Sequence, residues 1–168
     1  AAHALGALGD VESGADLLPM LYDRKWPVRA MAAKALGRIG YADAIDTLCI
    51  ALRDDSWWVR ANAAEALCRI GPDGLVALEN MLDDADSFAG QQAVRVLEDA
   101  GIVDQQVNDL AANDQSTRDT ARVFVEKVIA TGQCDRLHEL TTEHADSAVR
   151  WMLARMVPQP LSNEGDAA

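Results

Sequence analysis

The chain repeats itself every 31 residues. Ala33–Gly40 reads AKALGRIG, and one period later Ala64–Gly71 reads AEALCRIG. One period earlier, Ala2–Gly9 reads AHALGALG, and Val28-Arg29 returns as Val59-Arg60. A fixed period of about 20–50 residues marks a chain of stacked supersecondary units, none of which can bury its apolar flank alone. Such a chain offers an extended surface for holding a partner rather than a pocket for chemistry.

The repeat continues with drift. Val94–Gly101 (VRVLEDAG) is the next copy, its Leu97 and Gly101 standing 30 residues after Leu67 and Gly71. Two weaker copies are anchored on Arg118 and on Val149-Arg150. A second short apolar stretch precedes each strong copy: Ala15–Asp23, Ala42–Asp54 and Gly74–Asp84. Residues 105–114 and 134–143 hold that place in the weaker copies.

Both stretches of the unit predict helix. Ala30, Ala33, Leu36 and Ile39 recur every three residues, and Ala32 and Ala35 widen the stripe. That pattern suits an amphipathic helix covered on two sides. Alanine favours helix, and its small side chain lets neighbours approach closely. Gly40, Gly71, Gly101 and Gly132 stand where a left-handed residue ends a helix, and Pro72 reinforces one stop. Asp54-Asp55-Ser56 supplies N-cap chemistry before the next helix. No segment alternates with the period of a strand.

The unit D-x5-R followed by A-A-x-A-L-G-x-I-G resembles HEAT repeats, most of all the short bacterial and archaeal kind named after the phycobilisome (PBS) lyases. Asp23 and Arg29, then Asp54 and Arg60, carry the match, with Trp26 and Trp57 three residues before each arginine. The resemblance covers residues 1–101 strongly and 102–157 weakly; the fourth copy has Gly90 in place of the arginine. It implies an all-α, right-handed α-solenoid of about five stacked antiparallel helix pairs plus a leading half repeat. The solenoid is expected over 1–157 as one domain, with a disordered tail over 158–168. In this family the Asp and Arg form ladders between repeats, so Asp23, Arg29, Asp54 and Arg60 are expected to be structural, with Arg118 and Arg150 following.

Charge narrows the function. The formal net charge is −12, and Arg outnumbers Lys twelve to three. An Asp-rich, Lys-poor surface suits a halophile, where salt screens the repulsion. The plainer reading is an ordinary acidic cytosolic protein. An unfolding midpoint climbing steeply into molar KCl would support the first, and a flat one would remove it. The apolar stretches are too short for a membrane span. Cys49, Cys68 and Cys134 are scattered and read as small buried hydrophobes of a reducing compartment. With no basic leader at the start, the expected location is cytoplasmic. Ala1 falls inside a repeat, so the chain reads as part of a longer solenoid.

The placement of charge says more than its sum. With the repeat arginine as position zero, positions −2, +2, +5 and +9 share one face, within about 60° at 100° per residue. They give Pro27, Met31, Lys34 and Arg38, then Trp58, Asn62, Glu65 and Arg69, then Phe88, Gln92, Arg95 and Asp99. The weaker copies add Lys127 and Arg155. In HEAT-like solenoids the second helix lines the concave side. Six of these residues are basic and two acidic, although acids outnumber bases 27 to 15 overall. A basic inner groove with Trp58, Phe88 and Met31 as apolar contacts suits an acidic segment of another protein. The plainer reading has these bases in salt bridges contributing on the order of 0–1 kcal/mol each. The regular recurrence of Trp26 and Trp57 favours packing, whereas Trp58 has no counterpart one copy earlier.

Catalytic signals are poor. His138-Glu139 and Glu143-His144 give H-E-x4-H, not the spacing that sets two histidines on one helical face. Deoxyhypusine hydroxylase, a relative of the family, binds iron through several His-Glu pairs, and one such pair stands here. No cofactor or metal site is expected. The reading is a non-catalytic protein-binding scaffold or adaptor, with a bilin-lyase-like or other enzyme subunit as the alternative. Nucleic-acid binding is disfavoured by a pI near 4.5, because phosphate contacts supply most of that affinity.

Overall fold

A computed structural model describes residues 13–159. The leading half repeat and most of the tail lie outside the described residues. Ten helices follow one another in the described region: α1 (Gly14–Leu17), α2 (Trp26–Ile39), α3 (Ile45–Ala51), α4 (Trp57–Ile70), α5 (Pro72–Asn80), α6 (Ser87–Asp99), α7 (Ile102–Asp109), α8 (Gln115–Ala130), α9 (Asp135–Glu143) and α10 (Ser147–Met156). Short 3-10 turns extend the first helices, at Leu18–Tyr22, Ala42–Ala44 and Met81–Asp83. No strand occurs among the described residues. Five pairs of helices stack into an α-solenoid over a continuous apolar core. Leu17, Leu36, Leu48, Leu67, Leu78, Leu97, Leu137 and Leu153 are fully buried along it.

The stacking is closest between α2 and α4, where the alanine stripe brings the two backbones together. A Cβ placed on Gly37 would lie 2.5 Å from the Ala66 Cα. Gly40, Gly71, Gly101 and Gly132 all have positive φ, from 66° to 104°, and so turn the chain where an L side chain would be strained.

An arginine locks most of the turns before the second helices. In each case Nη1 donates to the carbonyls six and five residues back. Arg29 bonds Asp23 O at 2.8 Å and Arg24 O at 3.4 Å. Arg60 bonds Asp54 O at 2.7 Å and Asp55 O at 3.1 Å. Arg118 bonds Ala112 O at 2.6 Å and Asn113 O at 2.9 Å, and Arg150 bonds His144 O and Ala145 O. Asp23, Asp54 and Asp84 add an Asx turn, each accepting the N–H two residues on. His144 imitates them, its Nδ1 accepting the Asp146 N–H at 3.1 Å.

The caps differ from expectation at α4. Ser56 makes no side-chain cap, and its own N–H donates to Asp54 Oδ1. Aspartate caps appear later: Asp86, Asp114 and Asp146 accept first-turn N–H groups of α6, α8 and α10.

Regular stacking departs after α6. The C-terminal end of α8 comes back to the start of α6, where Thr131 lies over Gly90. A Cβ on Gly90 would sit 3.3 Å from Thr131 Cγ2, so a full arginine side chain has no room there.

Candidate interaction surface

The face predicted from positions −2, +2, +5 and +9 divides into exposed, bridging and buried members. Lys34, Arg38, Glu65, Arg69, Arg95 and Arg155 are exposed. Met31 is half-buried against the core. Asn62 is also half-buried and ties α4 to α2, its Nδ2 donating to Ala30 O at 3.1 Å. Gln92 corrects the expectation of a surface residue: it is only 7% exposed, and its Nε2 has no partner. Lys127 is half-buried and pairs with Asp83 at 2.5 Å, so its charge is engaged within the chain.

The remaining inner-face bases make no ion pair among the described residues. Lys34, Arg38, Arg69, Arg95 and Arg155 are absent from the network that engages Arg29, Arg53, Arg122, Lys127 and Arg136. Several inner-face arginines lie on aromatic rings instead. The Arg95 guanidinium sits 5.6 Å from the centroid of Trp57, Arg60 5.2 Å from Phe88, and Arg155 4.8 Å from Trp151. Such stacking covers a face of the guanidinium and leaves its N–H edges available.

The tryptophans are more open than a packing role requires. Trp26 and Trp57 are 45% and 43% exposed, because each stands at the first residue of a helix, where only one side of the ring is covered. Trp58 is 57% exposed and meets Trp57 edge to face at 4.8 Å. Trp151, 63% exposed, did not stand out in the sequence, since it lies outside the aligned columns.

Two hollows open on this face. One, of about 390 Å³, lies between α8 and α10 and is walled by Arg118, Arg122, Trp151 and Arg155. The other, of about 180 Å³, lies between the start of α4 and α6, lined by Trp57, Arg60, Phe88, Gln91, Gln92 and Arg95, with Gln133 closing it from the loop after α8. The sequence pointed to Phe88, Gln92 and Arg95 but assigned Arg60 to architecture and Trp57 to packing. Phe88 follows Arg60 by 28 residues, and its ring lies against the arginine of the preceding copy; Trp58 holds the same column after Arg29 without such a contact, so the column alone did not signal it.

Electrostatics separate the arginines. Arg29 grips Asp54 with two bonds, Nε to Oδ2 at 2.6 Å and Nη2 to Oδ1 at 2.8 Å. Burial raises the Asp54 carboxyl, but Arg29 and the Ser56 N–H outweigh it and hold the group below the usual carboxylate range. The matching acid one repeat on, Asp84, is gripped by Arg53 rather than Arg60, and Arg53 lowers it likewise. Burial pushes the Cys49 and Cys134 thiols up, which makes them poor nucleophiles. His138 bonds Pro158 O and His144 bonds Asn108 Oδ1. Among the described residues no three His, Cys, Asp or Glu side chains converge as metal ligands. No helix among them is long and apolar enough to cross a membrane.

A family model described as HEAT repeats matches residues 14–98 and, overlapping, 45–123. No curated protein matches the chain. A crystal structure of an engineered protein, solved by the Northeast Structural Genomics Consortium, is 22% identical to it. That alignment covers 93% of this chain and 87% of that one, at a TM-score of 0.44.

Proposed function

The chain belongs to the HEAT-repeat family, and on that premise we propose that it is a non-catalytic adaptor holding an acidic segment of another protein against its second helices. One observation carries this reading. Lys34, Arg38, Arg69, Arg95 and Arg155 point out from one face without an ion pair among the described residues, in a chain of formal net charge −12. Local positive potential inside an acidic shell attracts an acidic segment and repels copies of the chain itself. Arg and Trp, which dominate interface energetics when desolvated, are concentrated there.

The test is affinity capture from the source organism at native salt, with Arg38→Glu/Arg69→Glu as the control. The reversed protein should keep its thermal melt and lose the partner, and crosslinks on the unmodified protein should fall on α2, α4 and α6. Equal capture by both proteins would overturn the reading.

A further inference from the structure

We propose that the hollow between α4 and α6 is a receptor for one carboxylate, carried by an Asp or Glu side chain of the partner segment. The proposal rests on the reading of this face as the docking face, and it names the chemistry that anchors there.

The molecule contains its own precedent. Arg29 uses one nitrogen, Nη1, to hold the turn before α2, and its Nε and Nη2 edge to hold the Asp54 carboxylate at 2.6 and 2.8 Å. Arg60 repeats only the first half. Its Nη1 holds Asp54 O and Asp55 O, while its Nε and Nη2 find no acceptor among the described residues. The carboxylate that would complete the pattern, Asp84, is taken by Arg53. The edge that binds a carboxylate in one repeat is thus left open in the next, and Arg60 lines the hollow.

The surroundings are built for an anion. Phe88 lies under Arg60 and Trp57 under Arg95, so both guanidiniums are held in place before any guest arrives. A planar fork held in this way meets both oxygens of a carboxylate at once. Gln92 supplies a neutral donor at the base. It is 7% exposed, lines the hollow and has no partner for its amide nitrogen. Buried amides normally find partners, and the amide at the same position one repeat earlier does: Asn62 donates to Ala30 O. A half-turn about the last torsion of Gln92 exchanges its nitrogen and oxygen, so the donor can face a guest. No carboxylate lines the hollow.

The probe is a capped pentapeptide, Ac-Gly-Gly-Glu-Gly-Gly-NH2, titrated into the isotope-labelled protein. Its glutamine twin and inorganic phosphate form the other arms. The glutamate peptide should saturably shift the Nε–H signals of Arg60 and Arg95, the Gln92 amide and the Trp57 indole, and the twin should not. Gln92→Met, which keeps the side chain's length, and Arg95→Gln, on the surface, should each weaken binding at least threefold without altering the melt. Arg60→Lys, which keeps the charge and loses the fork, should weaken it at least tenfold. Shifts confined to Lys34, Arg38 and Arg69 would overturn the receptor and leave the basic face standing. Saturable shifts at Arg60 and Arg95, with partner capture unaffected by Arg38→Glu/Arg69→Glu, would leave the receptor and remove the wider reading. Phosphate acting at lower concentration than the glutamate peptide would overturn the carboxylate assignment, as would equal shifts from the glutamine twin.

Discussion

The step from α2 to α4 and the step from α4 to α6 use the same repeat positions to opposite effect. In the first step Arg29 closes on Asp54, Asn62 closes on Ala30 O, and Gly37 lets the backbone of Ala66 approach. In the second, Arg60 has its carboxylate diverted, Gln92 has no partner, and Gly90 makes room for Thr131 at the C-terminal end of α8. The spacing differs as well: 31 residues separate Arg29 from Arg60, and 30 separate Arg60 from Gly90, while Arg53, which takes Asp84, stands one period after Tyr22.

The contrast breaks most sharply at the glycines. Gly37→Val places a side chain against the Ala66 backbone, and overpacking of that kind should cost about 3 kcal/mol in urea unfolding. Gly90→Ala should stay within about 1 kcal/mol of wild type, because added helix propensity offsets the 3.3 Å contact with a movable Thr131 methyl. Equal losses would show that the two steps are packed alike.

The aspartates come next. Asp54→Asn removes a charge-assisted, two-point contact from a largely covered pair and should cost about 2 kcal/mol. Asp84→Asn should cost about 1 kcal/mol, since its partner Arg53 is 46% exposed and solvent screens the pair. Acid unfolding sharpens this. Both carboxyls are held below their ordinary range in the folded chain. The stability they confer is complete above the unfolded carboxylate pKa of about 3.9 and is lost as pH falls through the lower folded values. The melting temperature of Asp54→Asn should therefore change less than that of wild type between pH 6 and 2, with Asp84→Asn between them. Superimposable profiles would remove the aspartates as a source of acid sensitivity.

The smallest effect has the opposite sign. Asn62→Leu takes the side-chain donor away from the Ala30 carbonyl and should destabilise by about 1 kcal/mol. Gln92→Leu removes an amide that has no partner, so it should be neutral or stabilise by a few tenths of a kcal/mol. A Gln92→Leu protein as damaged as Asn62→Leu would mean that the two amides are equivalent after all.

The helices, their order and the glycine stops were legible because a 31-residue period and alanine stripes report directly on helix packing. The exposure of Lys34, Arg38, Arg69, Arg95 and Arg155 agrees with their polar places in the helical pattern. What could not be read was the depth of each column. Gln92 and Asn62 share a position, yet one is buried without a partner and the other bridges two helices. Lys127 reads as an inner-face base, yet α8 turns back far enough to reach Asp83. Both depend on how α6 and α8 are set against the stack, and no local pattern records that. Ser56 reads as a cap, but its hydroxyl takes no first-turn N–H, whereas Asp86 at the start of α6 takes two.

The repeat arginine also separates two tasks within one side chain. Its Nη1 fixes the turn in α2, α4, α8 and α10 whatever the far edge does. That far edge is therefore free to vary between copies without disturbing the register of the array. Loss of the carboxylate opposite that edge would open a repeat, and the Nη1 contacts that hold the arginine's own turn do not depend on it. Under the reading proposed above, a solenoid of this kind would carry its docking sockets as interchangeable fittings on a constant frame, and new specificities would arise along its length one copy at a time.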